Sequence, residues 1–150
     1  MLTLYFQTVM RKKILAFTIL LGIALCPLFG SAQRDNSLFE TYFDESTDTK
    51  YEYLTYNDKL SGPFKKYVEG NLTEEGWLIE NQAHSEWRQY SKTGKKLAEV
   101  HYVLGKKHGT WKIWDEEGNL RYKYSYNRGK PTGKWVMYGE TGEVLQTKDH

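Results

Sequence analysis

The chain of 150 residues carries 21 basic and 19 acidic side chains, a formal net charge of +2, which excludes a strongly basic nucleic-acid binder. A single cysteine, Cys26, excludes an intrachain disulfide framework and a thiolate metal site. Aromatic residues make up 15% of the chain, a composition that suits thin, half-solvated pleated layers better than a thick aliphatic core.

In chain order, Met10-Arg11-Lys12-Lys13 is a basic head and residues 14–25 are an unbroken apolar run. Pro27 follows, then Gly30-Ser31-Ala32, small residues of the kind a signal peptidase reads. Residues 1–32 are expected to be a signal peptide, with Met10 as the alternative start. An uncleaved anchor competes, but the apolar stretch is short of the roughly 20 residues a span needs. A lipoprotein signal also competes, but it wants a small residue before Cys26, where Leu25 stands. Cleavage after Ala32 implies an exported protein, in the periplasm, outer envelope or medium, with no stable membrane span. It removes three of the 21 basic residues and leaves 18 against 19 acidic ones, a net charge of −1.

Residues 33–57 read as a leader and a degenerate N-terminal hairpin acting as a cap, because terminal repeats have one face without a neighbour. Phe39 and Tyr42 repeat the spacing of Trp111 and Trp114, and Tyr51 and Tyr53 resemble Tyr122 and Tyr124. A solvated acidic linker is the other reading of this stretch. Four copies of one pattern follow, at residues 58–80, 81–104, 105–128 and 129–150. Trp87, Trp111 and Trp135 lie 24 apart, as do Tyr90, Trp114 and Tyr138, and Gly94, Gly118 and Gly142. The earliest copy carries Phe64, Tyr67 and Gly70.

The third copy shows the design. Its first strand begins at Thr110, and Asp115-Glu116-Glu117-Gly118 turns the chain. Leu120, Tyr122, Tyr124 and Tyr126 then alternate with polar residues, the period of a strand with one apolar face. The glycines of Gly105-Lys106-Lys107-His108-Gly109 and Gly129-Lys130-Pro131-Thr132-Gly133 read as turn residues linking the copies. Gly76 marks a bulge or bend. In the last copy Val144 and Leu145 are expected to pack, and the polar residues after them to blunt an open edge. Short links force sequential antiparallel pairing. The fold class is all-β: a repeat array of antiparallel β-hairpins, about 24 residues each, forming an elongated twisted meander sheet.

These residues resemble the MORN-repeat variant family, whose pattern is G-x-W-x-x-Y-x-x-x-G followed by a tyrosine-bearing strand. It stands at Gly109, Trp111, Trp114 and Gly118, with tryptophan at the tyrosine position, and at Gly133, Trp135, Tyr138 and Gly142. The resemblance extends over residues 58–148. It implies scaffolding, membrane attachment or dimerisation, and bacterial members often carry the label of YwqK-family antitoxin. An export signal departs from a cytoplasmic antitoxin setting.

No catalytic signature is present: there is no G-x-S-x-G, H-E-x-x-H, C-x-x-C or phosphate loop. The chain is therefore expected to bind rather than catalyse, with no cofactor. His84 and His108 share a repeat position, and two neighbouring turns could bring them together on a metal, but a third ligand is missing. The three tryptophans are expected to stack as a structural ladder. The second row, Tyr90, Trp114 and Tyr138, lies three residues on, which puts it on the opposite face of a regular strand; either that row is exposed or a bulge turns both rows inward to pack. With Arg88 and Lys112 beside it, and Arg121 and Lys123 near, it is the candidate binding stripe. The expected partner is a protein of the cell envelope or a second copy joined through a sheet edge. The alternatives are an antitoxin or immunity role against a toxin, and a glycan- or envelope-binding role.

Overall fold

A computed structural model describes residues 37–150 of this chain; the expected signal peptide and the start of the leader lie outside them. Within the described residues every regular element is a strand. The strands are β1 (Ser37–Asp44), β2 (Thr49–Tyr56), β3 (Lys59–Val68), β4 (Asn71–Ile79), β5 (Gln82–Tyr90), β6 (Lys96–Val103), β7 (Lys106–Trp114), β8 (Leu120–Asn127), β9 (Lys130–Pro131), β10 (Lys134–Tyr138) and β11 (Val144–Asp149). They form one all-antiparallel sheet in the order β1-β2-β3-β4-β5-β6-β7-β8-β10-β11, with β9 also on β8. The fold is therefore a meander of hairpins. No helix among the described residues is long and apolar enough to cross a membrane.

Two kinds of connection alternate. One is a two-residue turn with both residues at positive φ: Asn57-Asp58, Glu80-Asn81, Leu104-Gly105 and Arg128-Gly129. Paired positive φ marks the hairpin turn whose twist matches its strands. The other is a five-residue loop, 91–95, 115–119 and 139–143, closed by bonds such as Asp115 N–H to Asn119 O at 3.1 Å. Gly94, Gly118 and Gly142 occupy its fourth position. The Asp115 carboxylate also accepts the amides of Glu117 and Asn119, and the Ser91 hydroxyl accepts those of Thr93 and Lys95. In the first copy, Glu69-Gly70 replaces this loop with a two-residue turn, which accounts for the missing residue there.

Gly109 and Gly133 do not make turns. β7 begins at Lys106 rather than Thr110, and Gly109 lies inside it. The β6–β7 register slips between Glu99 and His101, and β2–β3 and β4–β5 slip at the matching places. Each slip leaves two extra residues on the later strand. Gly109 (φ 63) and Gly133 (φ 62) supply the left-handed residue this bulge requires, and Ser85 (φ 61) adopts it at some steric cost. At Gly133 the strand is broken into β9 and β10.

The bulge explains the tryptophans. Beside each slip an indole N–H donates to a carbonyl on the preceding strand: Trp87 to Trp77 O at 3.1 Å, Trp111 to His101 O at 2.9 Å, and Trp135 to Ser125 O at 3.0 Å. The rings lie across the sheet and form a ladder, but they do not stack on one another. Aromatic side chains of the intervening strands stand between them, in the order Tyr42, Tyr51, Phe64, Trp87, Tyr102, Trp111, Tyr126, Trp135, His150, with neighbouring centroids 4.2–6.4 Å apart. This is the ladder face. Phe39 stays off it, paired with Leu54 on the reverse face and 64% exposed, because β1–β2 has no slip to redirect it.

The core is the ladder face of β2 to β6: Tyr53, Leu60, Phe64, Leu78, Ala83, Trp87, Ala98 and Val100. Phe64 is 1% exposed and Trp87 7%. Burial thins toward the C-terminus, and β11 is exposed throughout. Val144 and Leu145, expected to pack, are 57% and 54% exposed, because β11 is an edge strand with no strand beyond it.

An acid sits on the core side of β4. Glu74 pairs in register with Lys66 and Gln89. Burial pushes its carboxyl above the usual value, and Lys66 and Gln89 offset this only in part. The folded state thus prefers the proton. Stability is unaffected by this group below the unfolded value of 4.5 and falls as pH rises through the higher folded value. Glu74→Gln is expected to raise the melting temperature at pH 7 and to lose that advantage below pH 4.5 in thermal melts across pH.

Candidate binding face

The reverse face carries a row of charges set by strand register. Running across the sheet, Glu52 lies opposite Lys65, Lys65 opposite Glu75, Glu75 opposite Arg88, Arg88 opposite Glu99, and Glu99 opposite Lys112. Opposite charges facing each other directly across a strand pair are mutually stabilising. The alternation ends at β8, where Lys112 faces Lys123, and Lys123 faces Val136.

The second aromatic row lies beside these charges, on the face opposite the ladder. Tyr90 donates its hydroxyl to Glu75 at 2.6 Å, and Arg88 reaches the same oxygen at 3.4 Å. Arg88 also pairs with Glu86. Trp114 carries the Lys96 ammonium 4.5 Å from its ring centroid; Glu99 bridges Lys96 at 2.8 Å and Lys112 at 3.4 Å. Upstream, Tyr67 donates to Glu52 at 3.1 Å under the Lys50 ammonium. Tyr90, Trp114 and Tyr138 are half-buried, between a core position and a free stripe. Glu75 and Arg88 lie against Tyr90, and Lys96 lies over Trp114.

The protonation states follow. The Lys50 ammonium holds Glu52 below the usual carboxylate range, and the Lys96 ammonium does the same for Glu99. Burial, then the adjacent carboxylates Glu52 and Glu75, raise the phenols of Tyr67 and Tyr90, so both hydroxyls remain donors. Arg121 lies 4.0 Å from Asp115, at the bulge of β8.

His84 and His108 are in strands β5 and β7 with β6 between them, not in neighbouring turns. Each Nδ1 accepts a turn amide at 3.4 Å, from Leu104 and Arg128 respectively. Ser61 accepts the Glu80 amide in the same way at 2.9 Å. The following turn residues complete the clasp: Asn81, Gly105 and Gly129 N–H donate to Leu60, Ala83 and Lys107 O. The shared repeat position thus ties the first strand of each copy to the turn that closes that copy. No group of three His, Cys, Asp or Glu side chains among the described residues is arranged to hold a metal.

The segments bounded by these clasped turns are the ones that match a known family. Residues 83–103 and 107–128 match the MORN repeat variant family. The two matched segments are MORN repeat variants. Each matched segment runs from an odd-numbered strand through a five-residue loop to the next strand, β5–β6 and β7–β8. MORN repeats are generally interaction modules for proteins or membranes, and the family is a non-catalytic one. A comparison with curated proteins gave no match.

Sequence reasoning missed the acids of the reverse face. Glu52, Glu75 and Glu99 hold one repeat position, and the spacing that revealed the tryptophans could have revealed them. Trp77, opposite His84 on the reverse face, is 47% exposed.

Proposed function

We propose that the chain is an exported, non-catalytic module whose reverse face docks a protein of the cell envelope. The observation that carries this is the row Tyr90, Trp114 and Tyr138, beside Arg88 and Lys112, on the face that does not carry the aromatic core. Aromatic and arginine side chains supply most of the energy of protein interfaces. Here Tyr90, Arg88 and Lys112 are held by Glu75 and Glu99, and Trp114 by the Lys96 ammonium, so docking loses little of their side-chain entropy. Export rests on the basic head, the apolar run and the small residues ending at Ala32.

Trp114→Ala tests it. The variant keeps the ladder face intact and is expected to fold, with unchanged far-ultraviolet circular dichroism. Affinity capture from native envelope extract should lose a partner that the parent protein retains. A partner retained by the folded variant would sink the reading.

A further inference from the structure

The charge row is complete beside the aromatics of the first three copies and open beside that of the fourth, the acid position lying each time on the strand before the copy. In the first, a carboxylate, Glu52, accepts the hydroxyl of Tyr67 and faces Lys65. In the second, Glu75 accepts the hydroxyl of Tyr90 and pairs with Arg88. In the third, Glu99 sits between Lys96 and Lys112, beside Trp114. In the fourth, the position of that acid is held by Lys123, and its aromatic is Tyr138. Lys123 is exposed and makes no ion pair among the described residues, and the Tyr138 hydroxyl makes no hydrogen bond there. Lys112 and Lys123 face each other directly, and like charges in that position repel.

We propose that this gap receives a carboxylate from an acidic segment of the docked protein. The proposal rests on the docking reading above and names the chemistry of its partner. Wherever the chain supplies its own acid, that acid bridges a strand cation and, in two copies, a tyrosine hydroxyl. At β7, β8 and β10 the receiving groups are present: Lys123 and Tyr138, which have no acid partner among the described residues, and Lys112, paired with Glu99 on its other side. An incoming aspartate or glutamate would accept from the hydroxyl and both ammonium groups, relieve the lysine repulsion and continue the alternation across the sheet. Trp114 and the apolar Val136, opposite Lys123, border the gap and suit an apolar residue next to the acid.

The test uses the full chain and a fluorescein-labelled glutamate–serine peptide, with a lysine–serine peptide as control, followed by fluorescence anisotropy at low and raised salt. The glutamate peptide is expected to bind and to weaken with salt. Lys123→Glu installs the missing acid between Lys112 and Tyr138, so it should fold at least as well as the parent and bind about tenfold more weakly. Lys130→Glu makes the same charge change on the short strand β9 and should leave binding unchanged. Equal losses in the two variants would mean that net charge alone draws the peptide, and would overturn the proposal. Failure of the glutamate peptide to bind the parent would overturn it too. So would binding to phosphatidylglycerol vesicles in place of the peptide. Capture of the envelope partner separates the two readings. Loss in Trp114→Ala with retention in Lys123→Glu ends the acid gap but keeps the docking face; retention in both ends both.

Discussion

Trp87→Ala is expected to destabilise the sheet by about 3–5 kcal/mol, the cost of removing a large aromatic from a core. The ring is 7% exposed, lies between Phe64 at 5.4 Å and Tyr102 at 6.4 Å, and donates its N–H to Trp77 O. Its loss leaves a void over Gly76 and an unsatisfied carbonyl at the bulge. Total stability is on the order of 5–15 kcal/mol for a domain, so a fall of roughly 10–20 °C in melting temperature should be visible by calorimetry. Trp87→Phe separates the two contributions. It keeps most of the packing and loses only the hydrogen bond, for about 1–3 kcal/mol. Phe64 fills the corresponding place in the first copy and is fully buried, so a phenyl ring is sterically acceptable there. If Trp87→Phe is as damaging as Trp87→Ala, burial is not what the ring contributes.

Gly76→Ala should also destabilise, by about 1–3 kcal/mol, although alanine suits a strand better than glycine does. A Cβ at Gly76 would come within 2.6 Å of Trp87 Cγ and closer still to Cδ2. The ring has nowhere to go, since Phe64 and Tyr102 flank it. The backbone at Gly76 has no positive φ, so the cost is the clash alone. This gives a sharp expectation: in the Trp87→Ala background the added methyl should cost little or even stabilise by filling part of the void. A double-mutant cycle by urea unfolding measures it. Additive effects would show that the close approach of ring and glycine is not what fixes this position.

The two substitutions also mark where sequence reasoning stopped. Gly76 was readable as an irregularity, because a lone glycine interrupted a facing row; the extra residues of the bulge lie opposite it on β5. That Trp87 covers it was not readable, because the two are paired only through a register slip between β4 and β5. Gly109 and Gly133 were readable as positive-φ positions, and their spacing suggested links between copies. Their true place inside the strand line depends on two extra residues opposite one, which no local pattern specifies. The candidate stripe shows the same division. The odd spacing of Trp111 and Trp114 put the second row on the reverse face. The carboxylates beside it come from strands paired across the hairpin, up to 15 residues away in the chain.

The sequence by itself determined the repeat, its period of 24 and the alternation that makes each copy a hairpin, because these are local properties of a pleated chain. It also determined the residue types of the ladder. Tertiary structure alone decided which side chains meet. The slip beside each tryptophan turns its indole onto a carbonyl, and the clasp of Ser61, His84 and His108 ties the first strand of each copy to its closing turn. The row of opposed charges then lines up across the sheet until Lys123 meets Lys112. Register is a property of paired strands, and a shift of one residue would move every one of these side chains to the other face.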